Sequence, residues 1–160
     1  MVYCSAEDLS NLFHSEDFIE WIAPKLPLFK IDLPRIERTL QAYCISYLLK
    51  KLSSENSEFH DELICAETPY YDGSFPDICF LDPRDRKSPR IWIEIKEFYD
   101  KDIVVSDVED DLKKMESLPL AKLQKVMLVL STNPGLREDE FKILGERYPT
   151  TKIEVIDLGK

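Results

Sequence analysis

The sequence predicts an α/β protein with a mixed central sheet, and three observations carry that expectation. A long segment with helical spacing of apolar residues is followed by three β-like stretches, and these by an alternation of helix, strand, helix and strand. The 160 residues, 44% hydrophobic and 32% charged, suit one domain over 1–160. Within it the pattern divides into a helical extension (1–30), a core (33–131) and an added helix and strand (132–160).

Each element has its own signals. Ser5 and Asp8 form an N-cap pair, and Ser15-Glu16-Asp17 opens a second short helix carrying Phe18, Trp21 and Ile22, stopped by Pro24 and Pro27. From Leu33, with Pro34 in a first helical turn, Ile36, Leu40, Tyr43, Cys44, Tyr47 and Leu48 recur at helical spacing until Ser53-Ser54-Glu55-Asn56. Glu62 to Thr68, Phe75 to Leu81 and Arg90 to Glu97 then read as an antiparallel meander, punctuated by Asp72-Gly73-Ser74, Asp82-Pro83 and Ser88-Pro89. Ser106-Asp107-Val108-Glu109 has the form of a capping box for a helix running to about Leu118. Lys125 to Ser131 reads as a buried strand. Asn133-Pro134-Gly135 turns into a helix with Phe141, Leu144 and Tyr148 on one face, and Lys152 to Leu158 ends the chain as a strand after a right-handed crossover.

Composition excludes several kinds of chemistry. The four glycines, Gly73, Gly135, Gly145 and Gly159, cannot make a glycine-rich phosphate loop. Cys4, Cys44, Cys65 and Cys79 form no zinc-type pair, and the histidines are only His14 and His60. Each cysteine reads better as a small core residue. The N-terminus lacks an apolar signal core, and the aliphatic run Val126–Leu130 is far too short to span a bilayer. A cytoplasmic protein without a membrane partner is expected, in keeping with thiols that show no disulfide pattern. The net charge of −10 repels polyanions at long range, so a phosphate-bearing ligand needs a local basic patch, a metal or a partner.

The acidic residues fall in a pattern. In the third β-like stretch Ile91, Ile93 and Ile95 alternate with Trp92, Glu94 and Lys96, so Glu94 and Lys96 share a face. A hairpin with Leu81 opposite Arg90 places Asp77 directly opposite Glu94. Facing carboxylates cost roughly a few tenths to 1 kcal/mol when solvated and more when buried. Either a cation lies between them, or Lys96 and solvent screen the pair, or the register is shifted by two. Glu37 is a third acid. At about 100° per residue from Ile36, Cys44 falls at about 80°, Glu37 at about 100° and Leu48 at about 120°, which puts Glu37 inside the apolar stripe. It is there protonated, paired or metal-bound, or it is a first-turn glutamate favoured by the helix dipole. Oxygen donors without His or Cys select a hard divalent ion, Mg²⁺ or Mn²⁺. A lysine beside such an ion suits phosphodiester hydrolysis.

These residues resemble the PD-(D/E)XK phosphodiesterase superfamily, of restriction-endonuclease-like fold. Pro76-Asp77 stands for the PD and Glu94-Ile95-Lys96 for the E-x-K on the next strand, within the αβββαβ order matched from about Leu33 to Ser131. The resemblance implies a nuclease in which Asp77, Glu94 and the main-chain carbonyl of Ile95 hold one or two Mg²⁺ or Mn²⁺ ions. Glu37 is then an additional ligand and Lys96 positions the attacking water, leaving a 5′-phosphate. Many members use a Gln or Lys on the second helix, for which Lys113 and Lys114 are the candidates; Asp72 is a weaker contributor, better explained as a turn residue.

Arg84, Arg86, Lys87 and Arg90, against Asp85, give the hairpin tip a local excess of three positive charges. They either grip backbone phosphates or form a charged solvated loop. Residues 100–116 hold seven acids against three lysines, a face that DNA should avoid. Tyr70 and Tyr71 either stack on bases or serve a strand end. DNA is the expected partner, with a homodimer or a protein complex as further expectations. The competing readings are an inactive nuclease-fold subunit of a nucleic-acid-processing or defence complex, and an unrelated α/β domain.

Overall fold

The five strands form one sheet in the order β1-β2-β3-β4-β5, comprising β1 (Leu63–Ala66), β2 (Ile78–Leu81), β3 (Pro89–Phe98), β4 (Gln124–Ser131) and β5 (Thr151–Asp157). In the computed structural model, residues 2–30, 36–59, 61–67, 73–99, 102–119 and 121–159 are described, positions 26, 28–30, 36, 37 and 136 by backbone alone. β1–β2 and β2–β3 pair antiparallel, β3–β4 and β4–β5 parallel. The sheet is therefore mixed, as the sequence predicts. Parallel neighbours require crossovers, and these are supplied by α4 (Val105–Glu116) between β3 and β4 and α5 (Glu138–Arg147) between β4 and β5.

Each face of the sheet carries its own apolar cluster. On one face α1 (Ala6–Phe13), α2 (Glu16–Ile22) and α3 (Ile36–Leu52) bury Leu9, Phe13, Phe18, Ile22, Leu40, Cys44 and Leu48 against Ile78, Phe80, Ile91, Ile93 and Ile95. On the other, α4 and α5 bury Val108, Leu112, Met115, Phe141 and Leu144 against Cys79, Trp92, Met127 and Val129. The period-2 alternation of β3 is thus realised, isoleucines to one side and Trp92 to the other. β4 is covered on both faces, which accounts for its unbroken apolar run.

The N-terminal helices are part of this core. Ser5 and Asp8 complete a reciprocal capping box on α1, and the Ser15 hydroxyl accepts from the Phe18 N–H at the start of α2. His14 meets Glu154 of β5 at 2.7 Å, and Gln124 of β4 accepts the Ala6 N–H at 2.7 Å. Among the described residues no helix is long and apolar enough to cross a membrane.

Two local expectations are corrected. Ser106 does not cap its helix: α4 begins at Val105, after Val104, with no side-chain cap. The buried Ile103 and Val108 and the partly buried Val105 fix the start, and apolar docking outweighs the cap. The β2–β3 register holds through Ile78↔Ile93, Cys79↔Trp92 and Phe80↔Ile91, then shifts so that Leu81 faces Pro89, not Arg90. Pro89 has no N–H for the ladder, and Arg90 becomes the extra residue of a bulge. Pro34, Tyr70, Tyr71 and Asp72 lie outside the described residues.

Candidate active site

β2 begins at Ile78, and extending the register of its first pairs by one residue carries Asp77 to the position facing Glu94. Asp77 is only 8% exposed. Its Oδ2 accepts the Ile95 N–H at 2.6 Å, beyond the end of the strand ladder, and its Oδ1 accepts from Gln41 Nε2 at 2.6 Å. Asp77 is thereby tied both to β3 and to α3. Burying a carboxylate is tolerable where donors replace water, and here two of them do.

Glu94 sits on the opposite side of the pair. Its Oε1 accepts from Trp92 Nε1 at 2.7 Å. Burial, and after it the Asp77 carboxylate, push the Glu94 carboxyl up from 4.5 to about 8; Asp111 adds to the push and the Trp92 N–H works against it. Hydrogen bonding to Asp77 is the smallest of these influences and acts in the same direction, favouring the protonated form of Glu94. Glu94 is thus the carboxyl of this pair that holds its proton more tightly than a solvated glutamate does.

Lys96, two residues along β3 on the same face, meets Asp111 Oδ2 of α4 at 2.7 Å, and Lys114 Nζ meets Asp111 Oδ1 at 2.8 Å. Burial works to raise the Asp111 carboxyl, but hydrogen bonds from Lys114 and Lys96 outweigh it and hold it below its ordinary 3.8. Glu94, Asp111 and Lys114 line a cleft of about 230 Å³, with Phe75, Trp92, Met115 and Leu118 as its apolar wall. Phe75 is 54% exposed at its mouth.

The remaining expected site residues are distributed as follows. Glu37 stands in the first turn of α3, about one turn before Gln41, and its side chain lies outside the described residues. Among the described residues no group of three or more His, Cys, Asp and Glu side chains is placed to hold a metal ion. Lys113 points away to Asp110 at 3.1 Å and is absent from the cleft lining, which Lys114 joins instead. Arg84, Arg86 and Lys87 are exposed at the β2–β3 tip. Four strand positions separate that tip from Asp77, about 13 Å at about 3.3 Å per residue.

Arg90 does not belong to the tip patch. Its Nη2 binds both Glu62 oxygens at 2.8 and 2.6 Å, and its Nη1 donates to the Cys4 carbonyl. Glu62 also accepts the Cys4 N–H, so the pair fastens the N-terminal segment to the sheet edge.

Gln41 and Asp111 are the site residues that the motif did not disclose. Both were accessible from periodicity. Gln41 lies at about 140° on the wheel where Leu48 lies at about 120°, and Asp111 shares its face with Val108 and Met115 at i−3 and i+4.

Comparison with protein-family models, with curated proteins and with solved structures finds no match to this chain.

Proposed function

We propose that this chain is a Mg²⁺- or Mn²⁺-dependent nuclease acting on DNA, with a site of restriction-endonuclease type made by Asp77, Glu94, Ile95 and Lys96. The observation that carries the reading is the Asp77–Glu94 carboxylate pair, Asp77 immediately before β2 and Glu94 within β3, where partial burial and the neighbouring charge raise the Glu94 carboxyl and a divalent cation would relieve both. The donor set fits a hard cation: carboxylate oxygens and a main-chain carbonyl, without thiolate or imidazole. Asp77, Glu94 and the Ile95 carbonyl would hold the ion, with Glu37 as the additional ligand. Such an ion supplies charge neutralisation at phosphorus and a more acidic bound water.

The chain's own residues do the rest. Gln41 and the Ile95 N–H fix the Asp77 carboxylate, so it needs no reorganisation to act. Trp92 fixes Glu94. Lys96 supplies positive charge beside the pair, held in place by Asp111. Arg84, Arg86 and Lys87 offer phosphate contacts further along the strands.

The test is metal-dependent cleavage of duplex and single-stranded DNA, lost in Asp77→Ala and Lys96→Ala proteins that keep the wild-type circular dichroism spectrum. Equal cleavage by these variants would overturn the site assignment. A second reading, an inactive nuclease-fold subunit, is favoured by the Lys96–Asp111 ion pair, which occupies the amine that would otherwise position water. No Mn²⁺ binding by calorimetry, together with no cleavage, would select it.

A further inference from the structure

Cys65 of β1 and Cys79 of β2 stand directly opposite each other in the antiparallel register. Opposed residues on antiparallel strands point to the same face, with Cα atoms about 4.5–5.5 Å apart. A disulfide needs about 4.4–6.8 Å between its Cα atoms, and the cross-strand spacing falls within that range. Both side chains pack on the α4–α5 side of the sheet, and all four cysteines of the chain are in the thiol form.

Their accessibility differs in a useful way. Cys79 is wholly buried, whereas Cys65 is only partly covered. Cys4 and Cys44 belong to the cluster on the other face, where burial above all pushes both thiols up to about 12, which leaves them unreactive.

We propose that Cys65 and Cys79 form a reversible redox site, oxidised by a small-molecule disulfide such as oxidised glutathione and reduced by thiols. The Cys65 thiolate attacks one sulfur of the oxidant, forming a mixed disulfide and expelling one glutathione thiolate. Cys79, after losing its proton, attacks Cys65 Sγ, closing the protein disulfide and expelling the second glutathione. Two protein thiols are oxidised and one glutathione disulfide is reduced to two thiols, with the protons taken up by the departing thiolates. The oxidised bond would clamp β1 to the strand that leads back to Asp77. The site does not depend on the nuclease reading.

The experiment exposes the folded protein to oxidised glutathione, quenches with acid, and measures intact mass, thiols in denaturant and a peptide map. No Lys or Arg lies between 65 and 79, so the map uses cleavage after Glu67 and not trypsin. Wild-type protein is expected to become two hydrogens lighter, to fall from four thiols to two, and to yield a Cys65–Cys79 linked peptide that dithiothreitol releases. Cys79→Ala and Cys79→Ser should each stop at a single glutathione adduct on Cys65, and Cys65→Ser should not react. A wild-type protein that keeps four thiols, stays at the glutathione adduct, or links other cysteines would overturn the proposal.

Discussion

Replacing Glu94 by Gln should remove a pH dependence of folding that the wild-type protein carries. The Glu94 carboxyl is raised from 4.5 to about 8 in the folded chain by burial and by Asp77. Between those values the folded state keeps a proton that the unfolded state has released. Stability is then full below the unfolded value and falls as pH rises toward the folded one. Each pH unit between the two values corresponds to about 1.4 kcal/mol, so the loss over the window is on the order of 2–5 kcal/mol. Gln keeps an oxygen for the Trp92 N–H and carries no titrating proton. The assay is urea unfolding of both proteins in chelator at a series of pH values from about 4.5 to about 8.5. The difference in unfolding free energy should grow in favour of Glu94→Gln by a few kcal/mol across the series, and Asp77→Asn should shrink the wild-type slope by removing the neighbouring charge. A difference that stays flat with pH would refute the proton held by the pair.

Other perturbations separate structure from function. Gln41→Ala leaves Asp77 Oδ1 without its donor inside the core and should cost about 1–3 kcal/mol in denaturant unfolding. Arg90→Ala strands a Glu62 carboxylate whose side chain is 2% exposed; breaking such a pair should cost about 3–5 kcal/mol. Arg84→Ala and Arg86→Ala should each change stability by less than about 0.5 kcal/mol. In a filter-binding assay these two should weaken DNA binding and flatten its salt dependence. Asp111→Asn releases Lys96 and Lys114 from their shared carboxylate and should lower cleavage more than it lowers stability.

The sequence disclosed most where side chains follow a period. The apolar stripe of α3, the alternation in β3 and the apolar run of β4 all became buried faces, because burial dominates the placement of regular elements. In the sequence the hairpin register rests on a Leu81–Arg90 pair at the turn; that pair does not form, yet the three pairs from Ile78 to Phe80 keep the same offset, so extending them still sets Asp77 opposite Glu94. It slipped only where Pro89 withholds an N–H and Arg90 finds a buried partner 28 positions earlier in the chain. Long-range pairing of that kind leaves no local trace. Neither does the Asp111–Lys96 contact, which depends on how α4 docks; periodicity puts Asp111 on the buried face with Val108 and Met115 but names no partner for it. Ser106 misled for the opposite reason, a strong local signal overruled by the docking of Ile103 and Val108.

Whether the acid pair and its lysine do chemistry on a phosphodiester can be measured directly. Plasmid DNA and a single-stranded oligonucleotide are incubated with the pure protein, with Mn²⁺, with Mg²⁺ and with chelator, beside Asp77→Ala and Lys96→Ala. Cleavage by the wild-type protein that needs the metal, leaves 5′-phosphate ends and vanishes in both variants is the predicted result. Intact DNA with the folded wild-type protein under every metal condition, or cleavage that both variants retain, would contradict it.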